Sequence, residues 1–437
     1  MDIKVVKFGG SSLANAKQFE KVAAIIKAEE SRKYVVASAP GKRFSDDIKV
    51  TDMFYKCFEL AVAKKSIDET FANIIDRYNE IISDLNIDFS LDEEFEKIKM
   101  AVLHRASRDY VASRGEYLNS MILAAYIGYD FVDAENCIFF DEKGMLDIEK
   151  TNKVLSETLI QHSRAVIPGF YGCNEDGTIK TFSRGGSDIT GSIVARAIQA
   201  DIYENWTDVS GMLMADPRIV ENPKVISTIT YNELRELAYM GATVMHEDAI
   251  FPVKISNIPI NIRNTNAPED AGTMIVPSTD MLGANVITGI AGKKGFSIIN
   301  IEKDMMNSEI GFGRRVLEVL ENHKVCFEHL PSSIDTMSVV IGTCELRSTK
   351  YEMVAEIAKV VDADRVTVED GIALIAVVGR GMVKAKGTAS RVFEAIANNG
   401  INIKMIDQGS SERNIIVGVE ENDYAGALRA IYNEFVK

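Results

Sequence analysis

Three short segments hold side chains that can handle phosphate and carboxylate groups. The first is KFGGSS, from Lys7 to Ser12, directly after the apolar opening MDIKVV. The adjacent glycines Gly9 and Gly10 let a backbone approach an anion closely with its amides turned toward it. Lys7 supplies a point charge, and a helix beginning after the loop adds its positive N-terminal end. Taken alone, a plain strand-to-helix turn accounts for the motif as well. The second segment is SRGGSDIT, from Ser183 to Thr190. Glycines again precede a helix; Arg184 can grip a carboxylate through two parallel bonds. Asp188 can cap the helix, orient a lysine or approach a magnesium ion, and a simple cap is the plainest of these. The third is WTDVSGMLMADPR, from Trp206 to Arg218. Thr207 and Asp208 close a strand before a glycine turn, and Asp216 and Arg218 flank a proline in a tight turn. Trp206, the only tryptophan, reads as core packing.

Glycine-rich loops at strand ends of one α/β domain can face each other across the carboxyl edge of the sheet, where ligands of open α/β sheets bind. A lysine on one loop and an arginine and aspartate on another suit phosphoryl transfer, which is mostly positioning and charge neutralisation. The chain has no GxxxxGK[ST] motif and no HRD or DFG set. IALIAVVGRGMVKAKG offers Gly379 and Gly381 to a dinucleotide fingerprint, but Lys384 stands at the third glycine position.

The elements that must position these residues alternate in type. IKVVKF (3–8) and KYVVASAP (33–40) read as strands around a helix over 15–30, whose apolar residues Phe19, Val22, Ala23 and Ile26 keep helical spacing. Residues 52–127 read as helical, with Phe71, Ile74, Ile75, Tyr78, Ile81, Ile82 and Leu85 on one stripe and a capping box from Ser90 to Glu93. The charges of this stretch read as a solvated face. Strands return over 130–135, 165–172, 201–209 and 259–264, with helices over 187–200 and 230–245. This is a parallel-stranded α/β layout.

After about residue 285 an internal repeat begins. RVLEVLENHKVCFEHL (315–330) lies over RVFEAIANNGINIKMI (391–406), matching Arg315 with Arg391, Val316 with Val392, Glu318 with Glu394 and Leu320 with Ile396. Each copy reads as a small βαββ-like unit, and the two suggest a paired ferredoxin-like module.

The 437 residues allow roughly three domains at about 150 residues each. A hydrophobic content of 46% and a charged content of 26% are ordinary for a globular protein. The net charge of −15 argues against nonspecific nucleic-acid or anionic-membrane partners. Five scattered cysteines suggest free thiols in a reducing compartment. The expectation is a cytoplasmic protein without signal peptide or membrane span. The five histidines show no HExxH or related spacing, so no dedicated transition-metal site is expected.

KFGGSS, RGGSDIT, WTDVSG…DPR and GATVMHEDA, in this order and followed by the repeat, resemble the aspartokinases of the amino acid kinase superfamily. The resemblance covers nearly the whole chain. It implies a three-layer α/β/α catalytic sandwich over 1–284 and two ferredoxin-like (βαββαβ) ACT domains over 285–437. The first ACT domain would span about 294–369, and the second about 370–437 with a strand from 285–293. The implied activity is ATP- and Mg²⁺-dependent phosphorylation of the β-carboxylate of L-aspartate, the first step toward lysine, threonine and methionine.

By motif, the resemblance casts Lys7 as the cation on the transferring phosphoryl group, with Gly9, Gly10 and Ser11 as the phosphate loop. Arg184 would take the α-carboxylate of aspartate, and Asp188 its amino group or Lys7. Glu116 in RGEYLNS would organise substrate and lysine, Ser38, Thr51, Phe170 and Ser187 would line the pocket, and Thr207, Asp208, Asp216 and Arg218 would contact ATP. Asn266 stands where some members carry a second lysine, with Arg263 or Lys254 as substitutes. An effector amino acid, lysine alone or with threonine, would meet Met305, Ser308, Gly311, Glu328 and Ser333. A homodimer or a dimer of dimers is implied. The competing readings are another amino acid kinase and a noncatalytic amino-acid sensor.

Overall fold

The computed structural model describes residues 2–183, 185–242, 245, 247–279, 286–346 and 349–436, with 247 and 248 given by backbone alone. Arg184 and the expected boundary at 284/285 lie outside the described residues. The chain divides into two compact units. One is Met1–Met212, Val225–Tyr231 and Val244–Thr279; the other is Leu213–Lys224, Asn232–Thr243 and Asp280–Lys437.

In chain order the first unit runs β1 (Lys4–Phe8), α1 (Ala16–Lys27), β2 (Arg32–Ala37), α2 (Val50–Val62), α3 (Asp68–Asp84), α4 (Asp92–Leu103), α5 (Arg108–Ile127), β3 (Asp130–Phe131), α6 (Ile148–Leu159), β4 (Ala165–Pro168), β5 (Tyr171–Cys173), β6 (Ile179–Thr181), α7 (Gly186–Ala197) and β7 (Ile202–Thr207). It continues through β8 (Thr228–Thr230), the start of α8 (Tyr231–Tyr239), α9 (Glu247–Ile255), β9 (Ile260–Asn264) and β10 (Thr273–Val276). Eight strands form one sheet in the order β3-β4-β2-β1-β7-β9-β10-β8. Neighbours are parallel except β9 and β10.

The apolar run of β1 follows from its central place, because a parallel strand covered on both faces buries every side chain. Val5 to Phe8 are all buried. Side chains alternate between faces. Val6, Phe8, Val35, Ala37 and Trp206 join the core formed with α1 to α5, including Phe19, Ile26, Phe54, Tyr78, Leu118 and Ile122. The intervening Lys7 and Asn205 therefore face the opposite side, toward α7. Trp206 is 1% exposed and its indole N–H donates to Glu204 at 2.9 Å, as core packing requires.

Four expectations need correction. The strand over 165–172 breaks into β4 and β5, because Phe170 adopts φ 81° between them. The capping box from Ser90 to Glu93 does not form: Ser90 accepts from the Asp92 amide at 3.1 Å, and α4 begins after Leu91. The helix expected over 230–245 ends at Tyr239 and is followed by Gly241 at φ 101°. The charges over 52–127 are not all solvated, since Arg77, Arg114 and Glu116 are buried.

In the second unit, β11 (Gly289–Glu302), α10 (Phe312–Asn322), β12 (Thr336–Gly342), α11 (Thr343–Leu346), α12 (Lys350–Val360), β13 (Arg365–Val378), α13 (Thr388–Ala397), β14 (Met405–Asp407), β15 (Asn414–Glu420) and α14 (Tyr424–Phe435) follow one another. Five antiparallel strands lie in the order β12-β11-β13-β15-β14. The repeat is visible in burial. Residues 315–320 and 391–396 share one pattern, in which Val316 and Leu320 match the buried Val392 and Ile396. A Cβ on Gly379 or Gly381 would come within 2.6 Å of Ile287 or 2.5 Å of the Val286 carbonyl, so those glycines serve strand packing. Among the described residues no helix is long and apolar enough to cross a membrane.

Candidate active site

The carboxyl ends of β4, β2, β1 and β7 carry four loops tied by backbone bonds. The Gly169 amide donates to the Ala37 carbonyl (3.0 Å), Ser38 to Phe8 (3.2 Å) and Gly9 to Trp206 (3.1 Å). Lys7, 7% exposed, sits at the end of β1. Its Nζ lies 2.5 Å from Asp188 Oδ1 and 3.4 Å from Asn205 Oδ1. Asn205 Nδ2 in turn donates to the same Asp188 oxygen at 3.0 Å. Asp188 occupies the first turn of α7, where the helix N-terminus favours a negative charge. An ammonium so held is a positioned cation rather than a mobile one. A Cβ on Gly9 would come to 3.6 Å from Lys7 Nζ, so the glycine loop runs in ordinary contact distance of the ammonium.

Gly10 and Gly41 join the first two loops. The Gly41 amide donates to the Gly10 carbonyl at 2.8 Å, and a Cβ on Gly41 would come within 2.6 Å of Gly10 carbon. Overpacking of this kind costs about 1–3 kcal/mol. Gly41→Ala is expected to lower stability by about that much, read by thermal melting.

Glu116 projects from α5 beneath the loop after β2. It is 6% exposed, and its Oε2 has no hydrogen-bond partner among the described residues. Burial pushes its carboxyl up from the ordinary 4.5 to about 8, against the opposing pull of the Ala39 amide and of Arg114. The neighbouring Gly115 lets α5 approach, since a Cβ there would lie 2.9 Å from Ala39 Cβ and 3.6 Å from Thr51 Oγ1. Asn119 Nδ2 donates to the Ser38 carbonyl at 2.7 Å. Glu116, Ser38 and Thr51 are thus brought together. Phe170 and Ser187 meet across a second close approach: a Cβ on Gly169 would reach within 2.6 Å of Ser187, and one on Gly186 within 2.6 Å of the Phe170 ring. Ser11 is exposed on the glycine loop.

Thr207 and Asp208 close β7, with Thr207 Oγ1 accepting from the Val209 amide at 3.1 Å and Asp208 exposed. Asp216 and Arg218 belong to the second unit. There they pair with each other, Nη2 to Oδ2 at 2.6 Å. At Asn266 the associated cation is Lys21 of α1, whose Nζ donates to Asn266 Oδ1 at 2.8 Å. Arg263 instead donates to the Pro268 carbonyl at 2.6 Å and lies over the Trp206 ring at 4.6 Å. Arg77, Gly41 and Asn119, which bond to these loops, were not singled out by the sequence.

In the second unit, the loop carrying Met305, Ser308 and Gly311 meets the turn carrying Ser333. Met305 N–H donates to Asp335 at 2.8 Å and Asn307 N–H to the Ile334 carbonyl at 3.0 Å. Met305 and Gly311 both take positive φ, at 59° and 81°. Glu328 accepts from the Tyr239 hydroxyl.

The Amino acid kinase family matches residues 2–264, and the ACT domain matches residues 375–435. Aspartokinase 3 of Bacillus subtilis (strain 168) is 41% identical over 99% of this chain and 98% of its own length. The chain belongs to the aspartokinase family. The crystal structure of Clostridium acetobutylicum aspartate kinase superposes on this enzyme with a TM-score of 0.89 and 52% identity over 100% of both chains. Aspartokinase III of E. coli, in complex with aspartate and ADP, shares the fold at a TM-score of 0.74 and 23% identity over 99% of each chain.

Proposed function

We propose that this kinase moves the γ-phosphoryl group of ATP to the β-carboxylate of L-aspartate at the carboxyl edge of the first sheet. The observation that carries the reading is Lys7, buried, braced by Asp188 and Asn205, and bordered by the glycine loop at Gly9. The acceptor carboxylate is already ionised at pH 7, so no general base is needed. The requirement is cation and geometry that hold two anionic reactants together. Lys7 meets the transferring group, and Gly9, Gly10 and Ser11 face the phosphates. Glu116 takes the ammonium of aspartate, and Arg184 its α-carboxylate. Ser38, Thr51, Phe170 and Ser187 shape the pocket around them. Thr207 and Asp208 stand on the nucleotide side. The exposed Asp208 has the oxygen chemistry to help hold a nucleotide-associated magnesium ion, which would supply charge neutralisation when bound. Asp216 and Arg218, paired with each other in the second unit, keep the proposed role of ATP contacts.

The repeat-built unit is the proposed seat of feedback control, with lysine, alone or with threonine, bound near Met305, Ser308, Gly311, Glu328 and Ser333. The five free thiols fit a reducing cytoplasm, and a homodimer or dimer of dimers is the assembly proposed. The test is ATP- and Mg²⁺-dependent acyl phosphate, trapped as hydroxamate, with aspartate and glutamate side by side. Product with aspartate only supports the substrate; product with neither refutes catalysis and favours an amino-acid sensor. Millimolar lysine is expected to suppress turnover severalfold, and turnover indifferent to lysine with and without threonine would defeat that assignment.

A further inference from the structure

The loops after β1 and β2 carry Gly9, Gly10, Ser11 and Ser38 of the residues assigned above to substrate and phosphate, and one side chain is bonded to both segments. Arg77 on α3 is 3% exposed. Its Nη2 donates to the Gly41 carbonyl at 2.7 Å and to the Ala14 carbonyl at 3.1 Å, and its Nη1 donates to Asp47 Oδ2 at 2.6 Å. Ala14 follows the turn that starts at Gly9. Gly41 and Asp47 lie in the segment between Ser38 and Thr51. The same Gly41 donates its amide to Gly10, so one guanidinium holds Gly41 directly and the end of the glycine turn through Ala14. Arg43 grips Asp47 from the other side at 3.0 Å. Burial would raise the Asp47 carboxyl, but the hydrogen bonds from Arg43 and Arg77 outweigh it and hold it well below the usual carboxylate range.

We propose that Arg77 is a positioning residue for phosphoryl transfer: it sets the spacing between the glycine turn after β1 and the Ser38–Thr51 loop. The role rests on the aspartate kinase reading above. A planar fork can serve two carbonyls and a carboxylate at once, which a lysine ammonium cannot do with the same geometry. Stability alone is a poor reason for the group, since buried ion pairs are often replaced by packed apolar side chains without loss. Its Nε is buried with no partner among the described residues, a cost that an apolar side chain would avoid.

Two variants test this. Arg77→Lys keeps a charge beside Asp47 and loses the fork. Arg77→Gln combined with Asp47→Asn removes both charges and leaves no uncompensated carboxylate. The readouts are aspartate kinase turnover, thermal midpoint and hydrogen exchange at the Gly41 amide. The expected result is a folded R77K enzyme with kcat at least tenfold lower and faster exchange at Gly41. The double variant should regain thermal stability relative to R77Q without regaining kcat. R77K turnover within twofold of wild type would overturn the proposal, as would a double variant that regains kcat together with stability. If wild type fails to phosphorylate aspartate, the substrate reading falls, and exchange at Gly41 decides by itself: faster in R77K supports the clamp, and unchanged overturns it.

Discussion

Lys7→Met should lower kcat by about a hundredfold to a thousandfold while leaving the fold in place. Losing one preorganised group aimed at developing charge typically costs that much, and phosphoryl transfer relies on such groups more than on covalent chemistry. Methionine keeps the length and apolar stem of the lysine, so packing at the end of β1 is retained. What remains is the Asp188 carboxylate. It keeps the Asn205 amide at 3.0 Å and stays in the first turn of α7 with 19% of its side chain exposed. A partly hydrated, hydrogen-bonded carboxylate costs little, so the thermal midpoint is expected within about 5 °C of wild type. Turnover measured by hydroxamate trapping beside a calorimetric scan checks both halves. Near-normal turnover would remove Lys7 from the chemistry, and a collapsed midpoint would make it a structural group.

The parts of this site that could be read along the chain are those built from neighbours in sequence. KFGG and GGSD each combine a strand or loop end, glycines and a charge within a few positions, and the 3.8 Å step between residues makes such proximity certain. The alternation of β1 then turns Lys7 away from the Phe8 and Trp206 side. What could not be read depends on contacts between distant segments. Arg77 lies three residues after Ile74 and one before Tyr78, inside the arc of the apolar stripe, yet its charge made a solvated position the simpler reading. It is buried because carbonyls from residues 36 and 63 positions away accept its protons. The same holds for Gly41, whose need for glycine comes from the backbone of Gly10. Phe170 gave no local sign of its positive φ. In the repeat, by contrast, the periodicity was long and doubled, and the burial of α10 and α13 follows it residue by residue.

Glu116 makes the other large expectation, and it has a pH signature. Burial raises its carboxyl to about 8, while an unfolded chain releases that proton near 4.5. Between those values the folded state holds a proton that the unfolded chain has lost. The group therefore costs stability increasingly as pH rises from 4.5, with the full cost present above about 8. Glu116→Gln removes the cost: the variant should equal wild type in stability near pH 4 and exceed it by up to about 4 kcal/mol at pH 8. Catalysis should move the other way. Holding the ammonium of aspartate calls for the carboxylate, so kcat/KM for aspartate in the wild type should climb through pH 8 and level off above it. E116Q should lose about a hundredfold in kcat/KM, the worth of a buried charge-assisted hydrogen bond, and should lack that climb. KM for ATP should hardly change. A limb near pH 8 that survives in E116Q would assign the titration to another group, and a variant less stable at pH 8 than at pH 4 relative to wild type would show the buried carboxyl to be stabilised by partners rather than strained by burial.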